Sequence, residues 1–239
     1  MFGIIGAMKS EIELLKESLE GRQETAVAGR TVYTGRINGA EAAVMECGIG
    51  KVMAAMCAQL LIDRFGATRL INTGVAGGVG HGLRVGDFVI GESLVQHDFD
   101  VSALGYPKGY AFLGEPDGMT VYHSDAELIE LFVAASADVL AADSIVRGRI
   151  ASGDVFVASG ALKERLRDSY GAVAAEMEGA AIGCVAQANG VPFIVVRALS
   201  DLADEEANIS YEEFEKESAA VSAAIVKEML AKFSERSLA

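Results

Sequence analysis

Short apolar segments alternate with segments of helical periodicity along most of the chain. Apolar runs predict strands at 2–7, 68–75 and 191–201, and their lack of polar alternation indicates strands that are covered on both faces. Residues 51–66 repeat apolar side chains at helical spacing and end at a glycine, which predicts an amphipathic helix. Residues 160–169 predict another helix. Strands that alternate with helices in this way are typical of α/β proteins.

Two further patterns complete this outline. Residues 31–48 alternate between apolar and polar side chains around Asn38-Gly39, which predicts a β-hairpin. Near the end of the chain, Ser210 and Glu213 predict a capping box at the start of a long helix. The apolar stripe of that helix consists of Phe214, Val221, Ile225 and Met229.

The length and composition of the chain favour one large domain. Of its 239 residues 51% are apolar, which is enough for a sizeable core. No repeat, low-complexity tract or linker interrupts it, so we expect a single α/β domain over 1–239 with a twisted, mostly parallel sheet. The net charge of −14 disfavours nucleic acid and anionic membranes as partners.

The amino terminus and the cysteines favour a cytoplasmic protein. Residues 1–15 lack the basic stretch of a signal peptide, and no run reaches the roughly 18 apolar residues of a membrane helix. Cys47, Cys57 and Cys184 are odd in number and show neither CxxC nor metal-binding spacing. We therefore expect reduced thiols, a cytoplasmic location and no metal.

Five polar stretches directly follow predicted strands. They are "GAMKSE" (6–11), "NTGVAGG" (72–78), "SGDVF" (152–156), "EMEG" (176–179) and "RALSD" (197–201). The carboxyl ends of strands in an α/β sheet form the ligand crevice, so these distant segments should converge on one rim. The glycine-rich stretch is not GxGxxG, and "GIGK" is not a complete Walker loop, so neither predicts a nucleotide cofactor.

The carboxylates at this rim carry the most information. An aspartate at the end of a buried strand, such as Asp201, is costly unless something there uses it. Glu11, Glu176 and Glu178 map to the same rim. Two structural alternatives remain open: Glu178 could be a partner for the dipole of the helix that follows, and Ser200-Asp201 could begin a turn or cap a helix.

Together these motifs carry a family resemblance. "GAMKSE", "GIGKVMAA", "NTGVAGG", "SGDVF", "EMEGAAI" and "VPFIVVRALSDLAD" resemble the 5′-methylthioadenosine/S-adenosylhomocysteine nucleosidases of the purine nucleoside phosphorylase superfamily, in order and over nearly the whole chain. The resemblance implies a three-layer αβα fold with a mixed, mostly parallel sheet of the nucleoside phosphorylase type. It also implies hydrolysis of the N-glycosidic bond, with adenine and a 5′-thioribose as products and no cofactor.

Adenine release needs an acid for the leaving group, negative charge beside the oxocarbenium-like ribosyl centre and a base for the attacking water. The resemblance implies that Asp201, oriented by Ser200, is the acid at N7, and we expect a raised pKa for it in its desolvated position. It implies that Glu11 is the base, helped by Arg197, and that Glu178 binds the ribose hydroxyls.

The resemblance also implies a set of substrate contacts. Met177 would pack on the sugar, Phe156 would stack on the purine, and the Val157 backbone would bond its edge. The glycine loop would let the ligand approach closely at Ala76 and Gly77. The pocket and thioether walls would comprise Met8, Ile49, Val101, Leu104, Tyr106 and Tyr211. The chain departs from the family pattern at Val75 and Leu104, which leaves the preference among 5′-substituents open.

Other functions remain possible on the same fold. A nucleoside phosphorylase would need cationic help for phosphate, whereas residues 6–11 offer only Lys9 and "NTGVAGG" has no arginine. A hydrolase of aminodeoxyfutalosine would share the purine and ribose contacts. A non-catalytic nucleoside-binding protein would be expected to lack one of Glu11, Glu178 and Asp201, and all three are present.

The resemblance further implies a homodimer in which a loop of one subunit closes the pocket of the other. The segments 52–62 and 101–116 are the places to look for such an interface. His97 is expected to be an orienting or surface residue, and His81 and His123 are expected to lie in loops. None of the three has a partner at metal-binding spacing.

Overall fold

A computed structural model describes residues 1–111, 118–203 and 207–238, with the side chains of 207–213, 215, 216, 237 and 238 left out. The strands are β1 (Phe2–Gly6), β2 (Glu20–Val27), β3 (Arg30–Ile37), β4 (Ala40–Glu46), β5 (Arg69–Gly78), β6 (Phe88–Gln96), β7 (Tyr122–His123), β8 (Ile145–Ser152), β9 (Ala172–Glu176) and β10 (Phe193–Asp201). The helices are α1 (Lys9–Glu17), α2 (Lys51–Phe65), α3 (Ala126–Ser136), α4 (Gly160–Tyr170), α5 (Gly179–Ala188) and α6 (Ala207–Leu238).

The strands form one mixed sheet in the order β10-β6-β8-β9-β5-β1-β4-β3-β2, with β7 on β6 and a further pairing between β10 and β5. One set of parallel strands comprises β4, β1, β5 and β10, and the other comprises β6, β8 and β9. The two sets run in opposite directions where they meet, because β9 pairs antiparallel with the carboxyl end of β5 and β10 with β6. The polar strand ends of the two sets therefore meet beside that end of β5.

Helices cover both faces of the sheet, which confirms the expected three-layer αβα architecture. On one face α1, α3 and α6 bury an apolar cluster that includes Ile4, Phe132 and Ile225. On the other face α2 and α5 bury a second cluster around Ile5 and Ile182. A smaller cluster lies under α4. Burial of these side chains, at roughly 25 cal/mol per Å² of apolar surface, holds the strand ends in place.

Most of the predicted elements are confirmed. The hairpin turns at Asn38 and Gly39, both with positive φ (50° and 83°), as a tight two-residue turn requires. Helix α2 ends at Gly66 in the left-handed conformation. Of the stripe on α6, Ile225 and Met229 are fully buried.

Two details differ from expectation. Strand β2 was not predicted, because it is an exposed edge strand whose residues, EGRQETAV, are mostly polar and show no apolar alternation. The capping box at Ser210 and Glu213 is wrong as a helix start, because the helix already includes Ala207. Strong apolar periodicity located the helix, while the local cap motif misplaced its first residue.

Candidate active site

A cavity of about 700 Å³ lies where the strand ends meet. A cavity of this size suits a small-molecule ligand. All five polar stretches that follow the predicted strands contribute to it, together with the loop before α2. Its lining consists of Ala7, Met8, Glu11, Ile49, Val75, Ala76, Gly77, Phe156, Ala175, Glu176, Met177, Glu178, Ser200 and Asp201.

Glu11 lies in the first turn of α1, where its side chain turns back toward the end of β1. Its Oε2 accepts hydrogen bonds from the N–H groups of Ala7 (2.6 Å) and Met8 (3.0 Å), and its Oε1 accepts one from Val75 (3.2 Å). A Cβ on Gly74 would lie 2.4 Å from Oε1, so the glycine provides the room for this carboxylate. Burial raises the pKa of Glu11, although Arg197 and the three N–H donors oppose the rise.

Glu176 and Arg197 form a buried ion pair beneath the cavity, and both side chains are 2% exposed. Glu176 Oε2 accepts from Arg197 Nη2 and from the N–H groups of Glu178 (3.1 Å) and Gly179 (2.8 Å). Its Oε1 accepts from the Ser152 hydroxyl, which in turn accepts from a backbone N–H of α5. Both oxygens of Glu176 are thus fully engaged within the protein.

Arg197 is held from the other side as well. Its Nη2 donates to Asn72 Oδ1 at 2.5 Å, and the Asn72 amide donates to the Ile5 carbonyl at 3.0 Å. Burial alone would lower the pKa of Arg197, but the surrounding carboxylates raise it, so the guanidinium stays charged. Arg197 does not line the cavity and acts from below it.

Glu178 has a similar burial to Glu176 but far fewer partners. Its Oε1 accepts from the Gly50 N–H at 2.8 Å, and its Oε2 lies 3.7 Å from Arg197 Nη2. Burial, followed by the charge of Glu176, raises the pKa of Glu178 to about 7. A carboxyl group with spare acceptor capacity on a cavity wall is available to a ligand.

Asp201 is the last residue of β10 and also lines the cavity. Its Oδ2 accepts from the Ser200 hydroxyl at 2.8 Å, and its Oδ1 accepts from the Ala203 N–H at 2.7 Å. Ala203 has a left-handed backbone (φ 52°), an uncommon conformation for a non-glycine residue that turns the chain back over the carboxylate. A Cβ on Gly77 would lie 2.8 Å from Oδ1, so this second glycine makes room for Asp201.

The rest of the lining is largely apolar. Met8, Val75 and Met177 form part of the wall, and Ile49 and Phe156 stand at the mouth with exposures of 59% and 45%. Val157 is buried and is absent from the lining. Apolar walls around a few polar groups are typical of small-molecule sites.

Four predicted contacts are not brought to this cavity by the described chain. Val101, Leu104 and Tyr106 lie in the segment after β6, where Leu104 is 72% exposed and Tyr106 stacks on Tyr110 at 4.8 Å. The fourth, the side chain of Tyr211, lies outside the described residues. Of the remaining predicted site residues, Arg197 and Val157 lie beside the cavity, and all the others line it.

His97 is not a surface residue, because its side chain is 2% exposed. Its ring packs against Gly153, where a Cβ would lie 2.3 Å from Nε2, and its carbonyl accepts from the Tyr170 hydroxyl at 2.9 Å. Burial lowers the pKa of His97. His81 is exposed in a loop as expected, whereas the same expectation is wrong for His123, which is exposed on strand β7.

Within the described part of the chain, no cluster of His, Cys, Asp and Glu side chains could hold a metal ion. The three cysteines are free thiols. Burial raises the pKa of both Cys47 and Cys57, the latter to about 11, so both thiols stay protonated near neutrality. In the described residues, no helix is both long and apolar enough to cross a membrane.

Sequence reasoning missed the role of Glu176. It placed this residue at the rim but could not separate it from Glu178, two positions away. The distinguishing partners of Glu176, Ser152 and Arg197, come from two other strands, and Asn72, which holds Arg197, comes from a third. The sequence did contain one signal. Residues 176 and 178 both directly precede a helix, and a carboxylate in that position commonly bonds the free N–H groups of the helix start.

Four carboxylates line one cavity at the strand ends and a buried cation lies below it, which defines an enzyme site for a small polar ligand. The chain matches the family model described as Phosphorylase superfamily over residues 1–231. A 5′-methylthioadenosine/S-adenosylhomocysteine nucleosidase of Geobacillus thermodenitrificans (strain NG80-2) is 43% identical over 228 residues, which cover 95% of this chain and 94% of the relative.

Two solved structures resemble this chain over nearly its whole length. The 5′-methylthioadenosine/S-adenosylhomocysteine nucleosidase of Neisseria meningitidis, in complex with methylthio-immucillin-A, is 40% identical with a TM-score of 0.90 over 97% of this chain and 98% of that one. The futalosine hydrolase of Helicobacter pylori strain 26695 is 35% identical with a TM-score of 0.89 over 97% of each chain. The chain therefore belongs to the phosphorylase superfamily and, within it, to the 5′-methylthioadenosine/S-adenosylhomocysteine nucleosidases, which are N-glycosyl hydrolases.

Proposed function

We propose that this chain hydrolyses the N-glycosidic bond of 5′-methylthioadenosine and S-adenosylhomocysteine, releasing adenine and the 5′-thioribose product. The observation that carries the proposal is the placement of Glu11, Glu178 and Asp201 on the lining of one cavity of about 700 Å³. Each of the three holds a different set of donors, so the three can perform different tasks in the same reaction.

Glu11 is the base in this proposal. The water oxygen attacks C1′ of the ribose, the C1′–N9 bond breaks with its electron pair going to adenine, and a water proton passes to Glu11. The raised pKa of Glu11 makes its carboxylate a stronger base than an exposed glutamate. The buried Arg197 supports the charged form from below without touching the water.

Asp201 is the acid in this proposal, and it delivers a proton to N7 of the departing adenine. The Ser200 hydroxyl and the Ala203 N–H hold its two oxygens in a fixed orientation. The proposal requires Asp201 to hold a proton until adenine departs, because the protonated carboxyl is the form that the reaction consumes. We predict that the pH–rate profile contains a limb that reports the titration of Asp201.

Glu178 accepts hydrogen bonds from the ribose hydroxyls in this proposal, and its negative charge stabilises the oxocarbenium-like transition state. The apolar residues supply the remaining contacts. Phe156 stacks on the purine, the Val157 backbone bonds its edge, and Ala76 and Gly77 allow close approach. Met177 packs on the sugar, while Met8 and Ile49 contact the thioether arm.

Water rather than phosphate is the nucleophile in this proposal. Among the described residues, none of those lining the cavity carries a positive charge, and the nearby Arg197 is paired with Glu176. Phosphate would meet the Glu11 carboxylate without a cation to offset the repulsion.

The active form is a homodimer in this proposal, and its location is the cytoplasm. Val101, Leu104 and Tyr106 lie in an exposed segment and do not line the cavity of their own chain, so they are available to close the cavity of a second copy. Tyr211 remains a proposed wall residue. The molar mass measured by light scattering during size-exclusion chromatography would test whether the protein is a dimer.

A second candidate substrate is aminodeoxyfutalosine, because the futalosine hydrolase of Helicobacter pylori has a fold as similar as those of the nucleosidases. Val75, where the chain departs from the family pattern, lies on the cavity wall, and its N–H donates to Glu11.

The test is adenine release from methylthioadenosine, S-adenosylhomocysteine, aminodeoxyfutalosine and adenosine, each with and without phosphate. We expect release that is independent of phosphate and is lost in Asp201→Asn, Glu11→Gln and Glu178→Gln. Formation of a ribose 1-phosphate would replace the hydrolase with a phosphorylase and remove the role of Glu11. Binding of methylthioadenosine without release would make the chain a nucleoside-binding protein.

A further inference from the structure

Two loops at the mouth of the cavity are bonded to each other, and to a third loop that does not line the cavity, through residues outside the lining. We call them the Ile49 loop (48–51), the Phe156 loop (152–157) and the Tyr106 loop (96–106). The first two supply Ile49 and Phe156 to the cavity mouth. The third carries the segment that the homodimer proposal assigns to a second copy. The position of the first two loops relative to each other therefore fixes the shape of the opening, and the third loop is bonded to both of them.

One residue from each loop takes part in a closed cycle of hydrogen bonds. Lys51 Nζ donates to Asp98 Oδ1 at 2.6 Å and to Gln96 Oε1 at 2.9 Å. Asp98 Oδ2 accepts from the Asp154 N–H at 2.8 Å. Asp154 Oδ1 accepts from the Lys51 N–H at 2.8 Å, which completes the cycle. We refer to Lys51, Asp98 and Asp154 as the clasp.

The clasp is partly shielded from water. The side chains of Lys51 and Asp98 are 14% and 22% exposed, so their attraction is screened less than that of a fully exposed pair. Burial alone would raise the pKa of Asp98, but the bonds from Lys51 and Asp154 lower it, so the carboxylate is charged near neutrality. The cycle therefore contains a charge-assisted bond, which is stronger than a neutral one.

The clasp is also connected to the candidate active site through the backbone at the start of α2. Gly50 precedes α2 without a side-chain cap of its own, and two carboxylates from other segments take its place. Asp154 accepts the Lys51 N–H, and Glu178 accepts the neighbouring Gly50 N–H. The first N–H groups of a helix have no partners within the helix itself. A shift of the Ile49 loop would therefore move the N–H that donates to Glu178, the carboxyl that binds the ribose hydroxyls in the proposed function.

We infer that Lys51, Asp98 and Asp154 are positioning residues that set substrate affinity by holding the three loops in register. The inference rests on the proposed nucleosidase activity. None of the three touches the reacting atoms, so loosening them affects the binding of substrate more than the chemical step. The signature is a rise in KM for methylthioadenosine with little change in kcat.

The chain offers a graded set of variants. Asp98→Ala removes the acceptor for both Lys51 and Asp154, and we expect KM to rise about tenfold. Lys51→Met keeps the length of the side chain and the Asp98–Asp154 bond, so we expect a rise of about threefold to fivefold. Lys51→Arg keeps the charge and should restore most of the affinity. In all three, kcat should stay within about twofold of the parent.

Lys16→Met is the matched control. Lys16 and Glu13 form a lysine–carboxylate pair at 2.8 Å with exposures of 16% and 33%, similar to the pair in the clasp, on the far turn of α1. We expect this variant to lose a comparable amount of thermal stability without a change in KM. Tm measured for every variant separates a loss of folding from a loss of positioning.

The outcomes are separable. Unchanged KM in Asp98→Ala and Lys51→Met, or equal loss of kcat and kcat/KM, would overturn the positioning role while leaving the nucleosidase intact. If the parent releases no adenine, the proposed function fails, and the clasp is then tested by calorimetric binding of adenine. There a weaker Kd in Asp98→Ala, but not in Lys16→Met, supports the clasp, and equal Kd values overturn it.

Discussion

The ion pair of Glu176 and Arg197 beneath the cavity, which we call the floor, and the wall that carries Glu178 use the same residue types for different purposes. On the floor, the two oxygens of Glu176 accept hydrogen bonds from the Ser152 hydroxyl, two backbone N–H groups and the Arg197 guanidinium. On the wall, Glu178 has one N–H donor at 2.8 Å and the same guanidinium only at 3.7 Å. Both carboxyl groups are buried, so burial does not distinguish them.

The number of bonded donors therefore separates a structural carboxylate from a functional one. A carboxylate with all its acceptor positions filled has nothing to offer a ligand, and a partly filled one has. Glu11 is intermediate, because its three N–H donors fix its orientation while its pKa stays raised. The following variants test this division, from the largest expected effect to the smallest.

Glu11→Gln should have the largest effect on the wall. The amide keeps the shape of the side chain but cannot take a proton from water, so we expect kcat for adenine release to fall by about 10²- to 10⁴-fold. Circular dichroism and Tm should show a folded protein. A variant with more than a tenth of the parent kcat would remove Glu11 from the role of base.

Arg197→Met should have the largest effect on the floor. It leaves the Glu176 carboxylate buried without its cation, which costs about 3–5 kcal/mol of the free energy of unfolding. Urea denaturation measures this loss. Adding Glu176→Gln should recover part of it, because the neutral amide needs no cation. If the single variant is as stable as the parent, the floor is not a structural ion pair.

Glu178→Gln should change stability in a pH-dependent way. The pKa of Glu178 rises from 4.5 to about 7 on folding, so the folded protein binds this proton more tightly and loses stability as pH rises through that window. Glutamine avoids the loss. We expect the variant to be more stable than the parent by roughly 1–3 kcal/mol near pH 8 and equal to it near pH 4. A variant less stable than the parent near pH 8 would place Glu178 with the floor.

Gly74→Ala should have the smallest effect. The added Cβ would lie 2.4 Å from Glu11 Oε1, and the flexible end of that side chain would move. We expect kcat to fall about tenfold while the unfolding free energy changes by about 1 kcal/mol or less. Gly160→Ala is the control, because a Cβ there meets nothing within 4 Å. Equal kcat in the two variants would show that Glu11 tolerates displacement.

The elements that carry strong apolar patterns could be predicted from the sequence, and with them the convergence of the strand ends. The strand at 20–27 could not, because its exposed polar residues need no apolar face. The turn at Asn38-Gly39 was predictable because its chemistry is local.

The candidate site divides in the same way. Its carboxylates could be found, because residues such as Asp201 stand at the ends of buried strands. The pairing of Glu176 with Arg197 could not, because it depends on distances between strands that are far apart in sequence. The burial of His97 was missed for a related reason. The ring is buried only because Gly153, which follows a different strand, has no side chain and leaves room for it.

The central claim is that Asp201 protonates the leaving group while Glu11 activates water. The most direct measurement compares adenine release from methylthioadenosine with 4-nitrophenolate release from the matching 5′-methylthioriboside, since 4-nitrophenolate leaves without protonation. Asp201→Asn should lose about 10²- to 10⁴-fold in kcat for adenine but less than about tenfold for 4-nitrophenolate, while Glu11→Gln loses both. Equal losses for the two leaving groups in Asp201→Asn would contradict its role as the acid.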